Sequence, residues 1–241
     1  MLTDRDRERY KRQLLAWTED QQHRLKDARV LIAGAGGLGS PLAMYLAVAG
    51  VGHIRVVDRD AVDLSNLNRQ TLHTEGDIGR LKTESAVEAL RDLNRDIHVE
   101  GVTRIMDDGT IDELVDGHDI IVDCTDNFPV RYVLNRKAVR SGLPMVHGGI
   151  RGFLGQLTFI APGKGPCLAC IFKQAPEPES IPVFGATPGV IGALQATEVI
   201  KYLTGVGDLL IGRLLIYDGE AMEFQNIKIE RDPGCVECRA K

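Results

Sequence analysis

The sequence predicts an α/β fold: a mostly parallel sheet with helices on both faces, continuing into an antiparallel C-terminal portion with a four-cysteine zinc site. Three observations predict it. Apolar strand-type runs alternate with helical patterns as far as residue 150. A GxGxxG turn, Gly34 to Gly39, separates the first strand from the first apolar helix. Two CxxC pairs, Cys167/Cys170 and Cys235/Cys238, bracket the C-terminal part.

The elements follow in order. Residues 1–28 read as a polar helical arm, and Arg29 to Ala33 as a short apolar strand. Residues 38–49 are apolar and small, as in a helix packed on a sheet. A second strand spans His53 to Asp58. Residues 59–81 are polar and irregular, long enough to be a functional loop. A helix over 82–94 shows apolar spacing near the helical period. Strands are expected at 97–103, 118–123 and 144–148, with a helix over 129–141. Beyond residue 150 the pattern changes. Residues 152–161 and 210–229 read as antiparallel strands, with one apolar helix over 189–204 between them.

The chain has 241 residues, 44% of them hydrophobic, enough for one sizeable core. A net charge of −5 with interspersed signs argues against nucleic acid as the main partner. No run of about 18 apolar residues predicts a membrane span. The charged start MLTDRDRERYKRQ lacks the apolar core of a signal peptide, so a cytoplasmic location is expected. Thiols stay reduced there, and a cysteine pattern then points to metal before disulfides.

Gly34, Gly36 and Gly39 form the GxGxxG, with Gly37 inside it. Tight turns and close backbone approach to a phosphate both favour residues without Cβ, and a helix N-terminus favours an anion. Asp58 closes the next strand, the usual place of a carboxylate on ribose hydroxyls in a Rossmann-like fold. The motif alone does not separate NAD from ATP. The following stretch, with Asn66, Asn68 and Arg69, suits a polyphosphate better than a nicotinamide ring. Lys82 opens a helix, where the dipole disfavours a cation, so a nearby anion or plain solvent accounts for it. Arg12 in the arm is open to the same two readings. Asp126 follows an apolar strand, placed either to hold Mg²⁺ or to cap the next helix.

Two CxxC pairs complete a four-thiolate set for a structural Zn²⁺ with no open position for catalysis. Cys124, at a strand end, reads as a buried small residue.

Together these segments resemble the ThiF/MoeB/HesA family of sulfur-carrier-protein adenylyltransferases, related to ubiquitin-activating enzymes and closest in type to MoeB. The resemblance rests on RYKRQ at 9–13, GAGGLGS at 34–40, DLSNLNRQ at 63–70, GRLK at 79–82, DCTDN at 123–127, the CxxC pairs, and PGVIGALQATEVIK at 188–201. It covers nearly the whole chain. It implies one adenylation domain over 1–241: the arm, a nucleotide-binding half at 29–150 and a carrier-facing half at 151–241. It implies ATP and Mg²⁺, a ubiquitin-like carrier ending in Gly-Gly, an acyl-adenylate product and a homodimer. Gly37 would lie at the phosphates and Asp58 on the ribose. Ser65, Asn66, Leu67, Asn68 and Arg69 would contact the nucleotide, Lys82 the phosphates, and Asp126, beside Asn127, the Mg²⁺. Arg12 would reach the partner subunit's ATP.

A carrier α-carboxyl is already ionised at neutral pH, with a pKa of about 3.5. Its attack on phosphorus needs positive charge and positioning, not a general base. Many relatives carry a Cys shortly before the PGVIG segment. The stretch from Glu177 to Pro188 has none and is somewhat short. Activation without an enzyme thioester is therefore expected. No rhodanese-like stretch follows Cys238, so the sulfur step is assigned to a separate sulfurtransferase. Activation of a small-molecule or tRNA-borne carboxylate is the alternative. An NAD-dependent oxidoreductase leaves the Asn/Arg-rich stretch and Lys82 unexplained. A non-catalytic scaffold would not need the full set of cations.

Overall fold

A computed structural model describes residues 1–175 and 182–239. The arm is two helices, α1 (Asp4–Arg9) and α2 (Glu19–Asp27), separated by a short 3-10 turn. Each starts on a capping box, Thr3 with Asp6 and Thr18 with Gln21, which satisfies N–H groups the first turn leaves free. Then come β1 (Arg29–Ala33), α3 (Gly39–Ala49) and β2 (His53–Val57). The irregular segment follows, with 3-10 turns at 64–66 and 75–77 and an isolated bridge between Ala61 and Leu81. Next are α4 (Lys82–Leu93), β3 (His98–Val102), α5 (Ile111–Val115), β4 (Ile120–Asp123), α6 (Phe128–Ser141) and β5 (Met145–Arg151). The C-terminal part holds β6 (Leu154–Ile160), α7 (Leu168–Ile171), α8 (Ala186–Thr204), β7 (Arg213–Asp218) and β8 (Glu223–Lys228).

All eight strands form one sheet in the order β3-β2-β1-β4-β5-β6-β7-β8. Pairing is parallel from β3 through β5 and antiparallel from β5 to β8. Strand side chains alternate in direction, so the parallel strands supply two cores. Val30, Ile32, Ile54, Val56, Ile120 and Val122 face α2, α3, α4 and α8. Leu31, Ala33, Val57 and Ile121 face α5, α6, α7 and the four cysteines of the CxxC pairs. Each fully buried Val, Leu or Ile contributes about 1.5–3 kcal/mol from apolar burial.

The structure extends three expected elements. The strand at 144–148 runs on to Arg151, because its end pairs with β6 as a hairpin. The last long helix begins at Ala186 and the one at 129–141 begins at Phe128. Two short helices, α5 and α7, were not anticipated, being too short to show periodicity. Among the described residues no helix is long and apolar enough to cross a membrane.

Candidate nucleotide and metal sites

β1 and β4 are neighbours, while the helices that follow them, α3 and α6, pack on opposite faces of the sheet. That divergence opens a crevice beyond their carboxyl ends, where open α/β sheets bind ligands. Gly34 has φ +101°, and a Cβ there would lie 2.9 Å from the Cys124 carbonyl oxygen. A Cβ on Gly39 would lie 2.0 Å from the Gly34 carbonyl oxygen. The loop is thus drawn against the β4 turn, and only glycine permits both approaches. A Cβ on Gly37 would meet Pro188 at 3.3 Å and the Arg69 stem at 3.5 Å. One on Gly185 would lie 2.3 Å from the Asn68 carbonyl oxygen. The irregular segment and the start of α8 therefore close over the same loop.

Asp58 accepts from the Ala35 N–H at 2.8 Å and the Asp60 N–H at 2.9 Å, and is 8% exposed. Arg69 donates to the Ser65 carbonyl and to Asn68 Oδ1, both at 2.9 Å. Lys82 is buried, and its Nζ lies 3.3 Å from the largely exposed Asp60 carboxylate. Ser65 and Asn68 are exposed, Asn66 and Leu67 half-buried. Beside Gly36, the buried Gln70 has an unpartnered Oε1. Such an atom fits a loop built to take a ligand.

Asn127 caps α6, accepting from the Val130 N–H at 3.0 Å. Asp126 is exposed, with one long contact of 3.4 Å from Asn127 Nδ2. The cap reading thus belongs to Asn127, and Asp126 is left exposed just beyond the end of β4. Its turn is held firmly. Asp123, wholly buried, accepts from the Thr125 N–H at 3.0 Å and Thr125 Oγ1 at 2.8 Å. Arg131 donates to the Thr125 carbonyl at 2.7 Å, and Gln195 Nε2 to the Asp123 carbonyl at 2.8 Å.

All four CxxC thiols are buried, with sulfurs within 4.8 Å of one another. Neighbouring pairs stand at 3.7 Å (Cys167/Cys235), 3.4 Å (Cys170/Cys238) and 4.0 Å (Cys167/Cys170). Tetrahedral Zn–S bonds of about 2.3 Å imply S···S edges of about 3.8 Å. The set therefore fits a metal ion. Asn135, fully buried, donates to Cys167 Sγ at 3.7 Å while its Oδ1 accepts from the Leu168 N–H at 2.8 Å. Lys173 bonds Asp232 at 2.7 Å, tying the two halves of the knot from outside. Cys124 is buried beside Gln195, its Sγ 3.7 Å from Oε1, consistent with a structural role.

Arg12 is the one candidate the fold sets apart. The Tyr10 ring packs where a Gly50 Cβ would lie 2.5 Å away, and Gln13 bonds the Ala49 carbonyl at 3.1 Å. Both contacts are at the C-terminal end of α3, about 16 Å from the glycine loop for an 11-residue helix. Arg12 itself is exposed, with no hydrogen bond or ion pair among the described residues.

A model of the ThiF family matches residues 10–237. The chain belongs to the ThiF family. It is 46% identical over 223 residues to the SAMP-activating enzyme E1 of Haloferax volcanii, covering 90% of this chain and 82% of that protein. It is 44% identical over 249 residues to the adenylyltransferase and sulfurtransferase MOCS3 of Drosophila sechellia; all of this chain is covered, but only 55% of MOCS3. A crystal structure of E. coli MccB with ATP superposes with a TM-score of 0.88 at 27% identity, covering 96% of this chain and 75% of that one.

Sequence reasoning missed several residues that support this ThiF-family site. His147 Nδ1 donates to Asp123 Oδ2 at 2.7 Å, with both side chains fully buried. Burial alone would raise the Asp123 carboxyl, but the His147 hydrogen bond and the charge of Arg131 outweigh it and hold it low. Burial pushes His147 down despite Asp123. Burial likewise lowers His53, His73 and His118. Only the Asp in DCTDN was visible as part of a motif; its partners come from other elements.

A pH dependence follows. An unfolded His titrates near about 6.5, so below that pH the unfolded chain takes protons that four native histidines refuse. Their stabilisation is present above about pH 6.5 and is lost as pH falls below it. The Asp123 contribution is lost further down, below about pH 4. Urea midpoints are expected to drop between pH 7.5 and 5.5. Equal midpoints at both would contradict neutral native histidines.

Proposed function

We propose that the protein uses ATP and Mg²⁺ to adenylate the C-terminal Gly carboxylate of a ubiquitin-like sulfur-carrier protein of the MoaD or ThiS type. The carboxylate oxygen forms a bond to the α-phosphorus as the bond to the bridging oxygen breaks. An acyl-adenylate and pyrophosphate result, and no proton moves. The observation that carries the reading is the pairing of two features across the crevice. A glycine loop is closed by Arg69 and the start of α8, and an exposed, uncapping Asp126 lies beyond β4.

In this reading the N–H groups of Gly36, Gly37 and Gly39 face the phosphates, Gly34, whose N–H donates to the Val57 carbonyl at 2.8 Å, shapes the turn, and Asp58 faces the ribose. Ser65, Asn66, Leu67 and Asn68 line the nucleotide, with Asn127 beside Asp126. Arg69 and Lys82 neutralise the phosphates, as preorganised charge does where charge develops. Asp126 holds Mg²⁺, which when bound neutralises charge on the phosphate oxygens. Cys167, Cys170, Cys235 and Cys238 hold structural Zn²⁺, which shares α6 and α7 with the second core.

Arg12 acts on the partner subunit's nucleotide in a homodimer. The position of the arm supports this, as does the outer face of α3. There Tyr45 is 54% and Val48 41% exposed, around an apolar hollow of 280 Å³ lined also by Pro41, Met44 and Leu93. Such a face suits a second copy better than water. The absence of Cys between Glu177 and Pro188 supports activation without a thioester; 177–181 of that stretch lie outside the described residues. A separate sulfurtransferase then completes the thiocarboxylate, in the cytoplasm.

ATP–pyrophosphate exchange with Mg²⁺, with and without a Gly-Gly-ending carrier, tests the proposal. Carrier-dependent exchange is the expected result. Exchange with a free amino or organic acid but with no carrier would move the reading to a small-molecule carboxylate.

A further inference from the structure

His73 lies in the irregular segment, is 6% exposed, and belongs to no element of the site as described so far. Its Nε2 stands 3.1 Å from the Ala35 carbonyl oxygen, inside the glycine loop. Its Nδ1 stands 2.8 Å from Ser85 Oγ, on the first turn of α4, three residues from Lys82. A carbonyl only accepts, so Nε2 carries a proton; in the neutral ring Nδ1 then accepts from the Ser85 hydroxyl, which the Asp77 carboxylate also contacts. This is one defined neutral tautomer, and burial, which lowers the ring's pKa, favours neutrality. The charged groups around the ring are Lys82 on α4, Asp77 in the second 3-10 turn and Asp58 at the end of β2.

The consequence for the loop follows from peptide geometry. In a planar trans peptide the C=O and the next N–H point in opposite directions. Holding the Ala35 carbonyl towards His73 turns the Gly36 N–H the other way, to the open side of the loop. Gly36 is half-exposed, and none of the described residues accepts from its N–H. Asp58 fixes the same residue from its other end through the Ala35 N–H. The ring therefore does two things through two short bonds. It aims one phosphate-facing donor and ties the loop to the helix that carries Lys82.

We infer that His73 is a positioning residue for the nucleotide phosphates, acting as a strut between the glycine loop and the Lys82 turn of α4. The inference rests on the nucleotide reading above. It touches phosphates only, so nucleoside binding should not depend on it.

Calorimetric titration of the whole protein with MgATP and with adenosine separates the outcomes. His73→Leu removes both bonds and should weaken MgATP binding about three- to tenfold, the worth of a net hydrogen bond or two, while adenosine affinity stays within twofold. His73→Gln should restore most of the loss, because its amide nitrogen is three bonds from Cβ, like Nε2. Equal weakening of MgATP and adenosine would mean a merely structural role and overturn the inference. Unchanged MgATP affinity in His73→Leu would overturn it too. Nitrogen NMR on the wild type needs no variant. It should show the Nε2–H tautomer, with a ring shift on adding MgATP and none with adenosine; the opposite tautomer sinks the strut. A wild type that binds no MgATP removes the nucleotide reading itself.

Discussion

Asp126→Ala is expected to lower carrier-dependent ATP–pyrophosphate exchange by at least about 100-fold, the scale of removing one charge-stabilising group from a transition state. Thermal stability should hardly move. The residue is exposed and caps no helix, since Asn127 does, and surface changes of that kind stay within about 0.5 kcal/mol. A large fall in melting temperature with the activity would show that Asp126 supports the turn instead of the reaction. Asn127→Ala gives the contrast: the lost cap should cost about 1 kcal/mol. The same assay reaches Arg12. If Arg12 serves the partner's site, Arg12→Ala and Asp126→Ala chains, each inactive alone, should regain exchange when mixed. One kind of mixed dimer then holds both lesions in one site and leaves the other intact. Mixtures that stay inactive would mean that Arg12 serves its own subunit's site, and an Arg12→Ala chain that is active alone would place it outside the reaction.

Removing the metal should have the largest effect on stability. Cys170→Ser, or prolonged chelation, is expected to abolish one bound zinc per chain and cost at least about 4 kcal/mol, as losses of metal sites do. For a chain of this size that is a fall of about 8–16 °C in melting temperature. The reason lies in the core. The four cysteines sit among Leu134, Ala138, Leu168 and Met145, so an ion held there would close one end of the second hydrophobic layer and fasten the C-terminal residues to α6 and α7. Exchange activity of the chelated protein, measured well below its new melting temperature, should persist, because four thiolates leave no open position on the metal. Activity lost without a loss of stability would point instead to redox chemistry at the thiols.

Some of this was readable without coordinates. The glycine loop, Asp58 and the two CxxC pairs declare themselves because each chemistry needs particular residues at short fixed spacing, and spacing survives in a string of letters. Strand and helix alternation up to residue 150 is equally local, and it led to the parallel half of an α/β sheet, though not to its strand order. The long helix before Gly205 was placed to within three residues at its start.

Tertiary structure alone decided the rest. Whether Asp126 or Asn127 caps α6 depends on backbone direction at one turn, which adjacent polar residues do not reveal. The Asp123–His147 pair joins β4 to β5, and Arg131 reaches back from α6; a bond between elements has no sequence signature. His73 looked like one more polar residue in an irregular stretch until folding set it between Ala35 and Ser85, 38 and 12 residues away. Arg12 is the sharpest case. Its motif links it to the nucleotide, while the packing of Tyr10 on Gly50 sets it at the far end of α3 from its own loop. Motifs record which groups a reaction requires, because that requirement is chemical and local. Where those groups stand is set by the burial of two apolar layers against one sheet, a sum over the whole chain.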